Sequence, residues 1–143
     1  MELTVRPFEM TDLSALLEVE QNAFQKPWTR ELFLGDLESD TARYFVAEAD
    51  GRIVGYAGSR LIADEVHIAN IAVHSDYRKQ GIGRALLARL LEQTKKEGAT
   101  FFTLEVRRSN LPAQTLYQSQ GFAVAGERKN YYGDEDALIM IKE

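Results

Sequence analysis

Residues 82–97 read as one amphipathic helix, with Leu86, Leu87, Leu90 and Leu91 as its buried stripe and Gly98 as its C-terminal stop. A helix with one apolar face needs a surface to cover, and strands flank it in the sequence. Before it, residues 42–48, 53–62 and 66–73 are strand-like runs that read as an antiparallel meander. Asp50-Gly51 suits a tight hairpin turn between the first two. After it, residues 101–106 form a nearly continuous apolar strand, as expected where both faces are covered. Ser109, Asn110 and Pro112 mark a further helix start, with proline in its first turn, and that helix runs to Gln120-Gly121. Residues 122–129 and 137–141 close the chain as strands.

The N-terminal part fits the same scheme. Residues 2–6 alternate as a short strand, and Leu13, Leu16, Leu17 and Phe24 then share a helical face, with Thr11 as N-cap. Pro27-Trp28-Thr29 breaks the chain before a second short helix through Leu37. The order β-α-α-β-β-β-α-β-α-β-β gives an α/β domain of three layers, a mixed sheet with helices packed on it. No repeat or linker divides the 143 residues, so a single domain spanning 1–143 is expected.

Composition narrows the function. There is no cysteine, which excludes disulfides, a thiolate nucleophile and cysteine-bound metal. The formal net charge of −5 argues against direct nucleic-acid binding, which needs a concentrated basic face, and favours cationic acceptors weakly. Residues 1–7 lack the basic and apolar regions of a signal peptide, and no apolar run is long enough to span a bilayer. A cytoplasmic protein with no membrane contact is expected. His67 and His74 have no cysteine partners for zinc, so they read as a sheet-face and a loop residue, and no metal is expected.

Two groups of residues carry chemistry. Arg78-Lys79-Gln80-Gly81-Ile82-Gly83-Arg84 lies between a strand and the long helix. Its glycines let backbone N–H groups approach an anion at the helix N-terminus, and its cations suit a pyrophosphate. A glycine-bearing turn with solvated charges fits the same residues. The dinucleotide fingerprint does not, because Leu86 stands where the third glycine belongs, and the Gly-Lys-Ser/Thr of a Walker loop is missing. The second group is Glu105, at the end of an otherwise apolar strand, and Tyr117 on the helix that follows. A carboxylate there must be paired, hydrogen-bonded or solvated in a cleft. An ion pair between Glu105 and Arg107 and a packing role for Tyr117 are the structural alternatives.

Residues 78–83 resemble the Arg/Gln-x-x-Gly-x-Gly/Ala signature of the GNAT acetyltransferases, and the element order is similar to theirs over essentially the whole chain. Glu105-Val106-Arg107-x-Ser109-Asn110, then Ala113, Leu116-Tyr117 and Gly121-Phe122, resemble the ribosomal-protein-alanine N-acetyltransferases within that superfamily. Arg128-x-Asn130-Tyr131-Tyr132, followed by Glu135-Asp136-Ala137-x-Ile139-Met140, extends the likeness. The resemblance implies a GNAT-type α/β/α domain on a mixed, mostly antiparallel sheet of about seven strands. It implies acetyl-CoA as cosubstrate, no metal, and a protein N-terminus as acceptor, that of a small-subunit ribosomal protein. It implies a monomer or weak homodimer.

It also implies roles for residues. Backbone groups of Ile71, Ala72 and Val73 would hold the pantetheine arm, with the Val73 N–H polarising the thioester carbonyl. Amides among Lys79, Gln80, Gly81, Ile82, Gly83 and Arg84, beside Arg78, would bind the pyrophosphate, and Asn110 would hydrogen-bond the arm. Glu105 would be the general base and Tyr117 the general acid for the leaving thiolate. Trp28, Glu105, Tyr131 and Tyr132 would border the acceptor, with Phe24 and Leu32 as further wall candidates. Tyr132-Gly133-Asp134-Glu135 is a shorter connection than many relatives have, and Asp134, Glu135 and Asp136 either attract a basic peptide or form a solvated turn.

The chemistry is coherent on its own terms. Only an uncharged amine attacks a thioester. An α-amine has a pKa of ~7.8 and a lysine amine of ~10.4, so lysine costs about 3.5 kcal/mol more to deprotonate. One carboxylate, directly or through water, suffices for an N-terminus. Lysine or small-amine acetylation on the same fold, or a silent acyl-CoA-binding module, are the other readings.

Overall fold

The computed structural model describes residues 1–143. Asp50 and Gly51 both take positive φ, 53° and 85°. That is the backbone a two-residue hairpin turn needs, and it joins β2 (Ala42–Ala49) to β3 (Arg52–Ile62). β4 (Glu65–Val73) pairs with the other edge of β3, and β1 (Leu3–Pro7) with the other edge of β2, all antiparallel. α3 (Ile82–Lys96) then leads to β5 (Phe101–Arg107), which runs parallel to β4. β7 (Ala137–Lys142) inserts between β5 and β6 (Ala123–Arg128). The sheet has seven strands in the order β1-β2-β3-β4-β5-β7-β6, and β4–β5 is its one parallel pairing.

Helices cover both faces, giving the three expected layers. Leu13, Leu16 and Val19 of α1 (Leu13–Ala23) and Phe33 of α2 (Arg30–Leu37) pack with Tyr44, Val46, Tyr56 and Ala72 on one face. The leucine stripe of α3, together with Tyr117 of α4 (Leu111–Ser119), packs on the other with Phe102, Leu104 and Val106. Leu86, Leu87 and Leu90 are fully buried, as their spacing predicts.

Two local expectations change. Thr11 does not cap α1. Asp12 occupies the N-cap position, and its carboxylate accepts from the Glu9 N–H at 2.8 Å and from Arg6. The Arg6 guanidinium holds that carboxyl below its usual range. β5 is covered on one face only: Phe102, Leu104 and Val106 are buried, while Thr103, Glu105 and Arg107 alternate onto a half-open face. The apolar look of the run comes from Phe101, which is half-buried.

Candidate active site

The parallel ladder between β4 and β5 is short. It pairs Glu65 with Phe101 through Ile68 with Leu104, and then stops. On the other edge of β4, its register with β3 shifts at Ala69, between the Gly58–Asn70 and Ser59–Ile68 pairs. Such a bulge bends a strand, and β4 swings away from β5 beyond it. The two strands therefore open into a gap, edged on one side by the free flank of residues 70–73.

Alternation along β4 decides which backbone groups face the gap. The His74 N–H donates to the Val54 carbonyl at 2.8 Å, which makes His74–Val54 a hydrogen-bonded pair. Two residues back, Ala72–Tyr56 is the next such pair. The amides of Ile71 and Val73 consequently point away from β3, into the gap. Ala72 corrects one expectation: its N–H and carbonyl are committed to β3, so it offers the gap no backbone donor. The Ile71 N–H is met by its neighbour's Asn70 Oδ1 at 3.1 Å.

At the mouth of the gap stands the α3 N-terminus. Lys79 and Gly81 take positive φ, 62° and 80°. Ala85 is the first residue whose amide bonds back into the helix, to the Gly81 carbonyl at 3.0 Å. The amides of residues 78–84 have no acceptor within the chain. An array of free N–H groups at a helix N-terminus, beside exposed Arg78, Lys79 and Arg84, is suited to a pyrophosphate. Gly83 lies where α3 meets α4, and a Cβ there would stand 3.5 Å from Leu116. Asn110 caps α4, accepting from the Ala113 N–H at 3.2 Å.

Glu105 and Tyr117 lie on opposite faces of the sheet, Glu105 one residue past the end of the parallel ladder. Tyr117 is packed with the α3 side of the core, its ring edge-on to Phe122 at 5.8 Å. Burial, and secondarily the nearby Tyr132, push its phenol well above the ordinary range. Glu105 alternates to the α1–α2 face. There it borders a cleft of about 460 Å³ with Trp28, Ile68, Ala69, Tyr131 and Tyr132. Phe24 and Leu32 are not part of its wall. Trp28 packs on Phe33 at 5.3 Å between ring centroids and also forms a lip of the cleft.

The turn after β6 holds the tyrosines over this cleft. Arg107 does not pair with Glu105. Its guanidinium bonds Asp134 at 2.9 Å and Glu135 at 3.2 Å, and lies 4.3 Å from the Tyr132 ring centre. Glu135 also accepts the Ser109 N–H at 2.7 Å, and Asp136 accepts the Asn130 N–H at 2.9 Å. The acidic turn thus ties itself to the end of β5 rather than presenting free carboxylates to a ligand. Burial, with Tyr131 beside it, pushes the Tyr132 phenol up to about 12.

Three further groups line or back this cleft, none of them expected to take part in the site. His67 Nε2 stands 2.9 Å from Glu105 Oε2, and Arg128 Nε stands 3.8 Å from Oε1. Arg60 and Asp36 form an ion pair in the same wall. Behind it, buried Glu20 accepts from the Tyr56 hydroxyl at 2.6 Å and the Trp28 N–H at 3.0 Å. His67 sits two residues after Glu65, where the parallel ladder begins, but nothing local marks Glu105 as its neighbour. No group of three or more metal-ligating side chains is present. No helix is long and apolar enough to cross a membrane.

Comparison with known proteins agrees with this geometry. Residues 13–122 match the model of the Acetyltransferase (GNAT) family. The chain is 40% identical over 141 residues to the [ribosomal protein bS18]-alanine N-acetyltransferase of Escherichia coli (strain K12), covering 96% of this chain and 95% of that one. An N-alpha-acetyltransferase of Sulfurisphaera tokodaii is 33% identical over 153 residues, covering 97% and 92%. The crystal structure of the ribosomal-protein-S18-alanine N-acetyltransferase from Escherichia coli superposes with a TM-score of 0.92 at 39% identity, over 99% of this chain and 93% of that one. With the splayed strands, the free amide array and this match over most of its length, the chain belongs to the GNAT family of acetyltransferases.

Proposed function

We propose that this acetyltransferase moves the acetyl group of acetyl-CoA onto the N-terminal α-amine of a ribosomal protein that begins with alanine. The observation that carries this reading is the placement of Glu105 and Tyr117 on opposite faces of the sheet. An amine that attacks a thioester from one side expels the thiolate toward the other, so base and acid belong on opposite sides of the reacting carbon. The printed activity of the bacterial relatives supports the acceptor.

In this reading the pyrophosphate lies on the amides of residues 79–84, flanked by Arg78, and the arm runs along the free flank of β4 with Asn110 across from it. The acceptor enters between Trp28, Tyr131 and Tyr132. The amine nitrogen bonds to the thioester carbon and loses a proton to Glu105, directly or through water. The C–S bond breaks, and the sulfur takes the Tyr117 proton. Charge on the carbonyl oxygen is met by the Val73 N–H. The raised phenol stays protonated across the pH range in which an α-amine loses its proton, so the acid is loaded when the amine is ready to attack.

The test is acetyl transfer to a peptide with a free N-terminal alanine, beside one with a blocked N-terminus and an internal lysine. Transfer to the free N-terminus alone is expected. Glu105→Gln and Tyr117→Phe should each lower kcat by about a hundredfold or more. Transfer to the lysine peptide alone overturns the N-terminal assignment. No transfer, with acetyl-CoA still bound, points to a small-amine acceptor or a silent binding module.

A further inference from the structure

We propose that His67 sets the charge state in which Glu105 works: neutral imidazole leaves the carboxylate free to take the amine's proton, and imidazolium blocks it. The proposal rests on the reading of Glu105 as the base. The two side chains leave adjacent strands just where the ladder ends, and His67 Nε2 lies 2.9 Å from Oε2 and 3.3 Å from Oε1. Glu105 is sheltered, with 12% of its side chain exposed, whereas His67 is 46% exposed and in exchange with solvent. His67 is therefore a positioning residue that acts through Glu105 and reports the pH of the medium to it.

The other charged or titratable groups on this wall are arginine, aspartate and tyrosine, side-chain types that do not ordinarily change charge near neutral pH. Arg128, beside Oε1, is a guanidinium and stays charged. Arg60 is paired with Asp36. The Tyr132 phenol is pushed up to about 12, and Tyr131 is also a phenol. Only histidine is of a type that changes charge between about pH 5 and 8. With neutral His67, its Nε2–H donates to Oε2 and leaves Oε1 to accept the proton. With imidazolium, a second cation joins Arg128 beside the carboxylate, lowers its basicity and repels the ammonium form of the acceptor. Transfer therefore needs the imidazole in its neutral form.

Two measurements test this. The first is kcat/KM against pH for the wild type and His67→Gln, each normalised to its own plateau. Glutamine keeps an N–H donor but does not titrate. The wild-type acid limb should be steeper by one proton, falling up to about tenfold more per pH unit than the variant's. Superimposable limbs, with only the plateau lowered, would mean a structural role and overturn the proposal. The second needs no turnover. The chain has two histidines, so proton NMR follows both imidazoles, and the His67 signal is the one missing from His67→Gln. In Glu105→Gln its titration midpoint should move down by about half a pH unit or more while the His74 signal stays, because an adjacent anion is gone. An unmoved midpoint overturns the pairing. A moved midpoint with no transfer to any peptide keeps the pair and overturns the acceptor proposed above.

Discussion

Glu20 is a carboxylate with 2% exposure and no cationic partner, held instead by two donors. Its Oε1 takes the Tyr56 hydroxyl and its Oε2 the Trp28 N–H, so one buried side chain fixes both a sheet residue and the loop that edges the acceptor cleft. The Tyr56 phenol is pushed far above its ordinary range by burial first and by the Glu20 charge second. Asn70 Nδ2 reaches the same hydroxyl at 3.4 Å, while its Oδ1 receives the Ile71 N–H. The chain of contacts therefore runs from the acceptor loop to the free flank of β4. Glu20→Ala strands the buried Tyr56 hydroxyl and the half-buried Trp28 N–H and leaves a cavity, at a cost of about 3 kcal/mol. For a domain of this size that lowers Tm by about 10 °C. Calorimetry should show this loss, and kinetics should show a raised KM for the peptide, since Trp28 loses its anchor. Glu20→Gln keeps one acceptor and should lose less of both. An alanine variant with unchanged Tm would remove Glu20 from this role.

The N-terminus of α3 separates two glycines that look alike in sequence. Gly81 has φ of 80° with nothing within 4 Å of a built Cβ. Its requirement is conformational, because an L-residue pays about 1–2 kcal/mol in the left-handed region. Gly83 has no positive φ, and a Cβ there meets Leu116 at an ordinary 3.5 Å. Gly81→Val should therefore destabilise by about 1–2 kcal/mol and weaken acetyl-CoA binding by reorienting the amides. Gly83→Ala should gain up to about 1 kcal/mol of helix stability and keep acetyl-CoA binding. Titration calorimetry and thermal melts read both, and a reversed order would refute the assignment of the loop.

The same scale shows what periodicity can and cannot carry. The elements were legible because each has its own local signal: the leucine stripe of α3, the Asp50-Gly51 turn, the Asn110 and Pro112 start of α4. Thr11 is no cap because it lies inside a 3-10 turn, Met10–Asp12, that leads directly into α1, and the Asp12 carboxylate that follows is taken by Arg6 and the Glu9 N–H. The order in which β7 enters between β5 and β6 is a long-range pairing with no local mark. The meeting of His67 with Glu105 is likewise a product of parallel register between segments 38 residues apart. For the same reason Arg107 could be matched to Glu105 by proximity in sequence, whereas the fold gives it Asp134 and Glu135.

At the scale of the molecule, the gap divides the sheet into β1–β4, to which α1 and α3 pack, and β5–β7. The four-residue parallel ladder and the α3–α4 side of the core join them. A ligand that lies along the flank of β4, on the α3 amides and against Asn110 would touch both parts at once. Binding to the folded state alone stabilises it by about 2.7 kcal/mol at a hundredfold excess over Kd. The protection should be uneven. The Val73 N–H and the amides of residues 78–84 have no acceptor in the chain and should exchange quickly in the free protein. Acetyl-CoA should slow them by about tenfold or more by giving them acceptors and shelter, and should leave Ala72, already bonded to β3, unchanged beyond the global gain. Hydrogen exchange followed by NMR, with and without acetyl-CoA, separates these amides. Equal slowing at Ala72 and Val73 would mean that the ligand only stabilises the fold as a whole, and protection that spares residues 78–84 would place the pyrophosphate elsewhere.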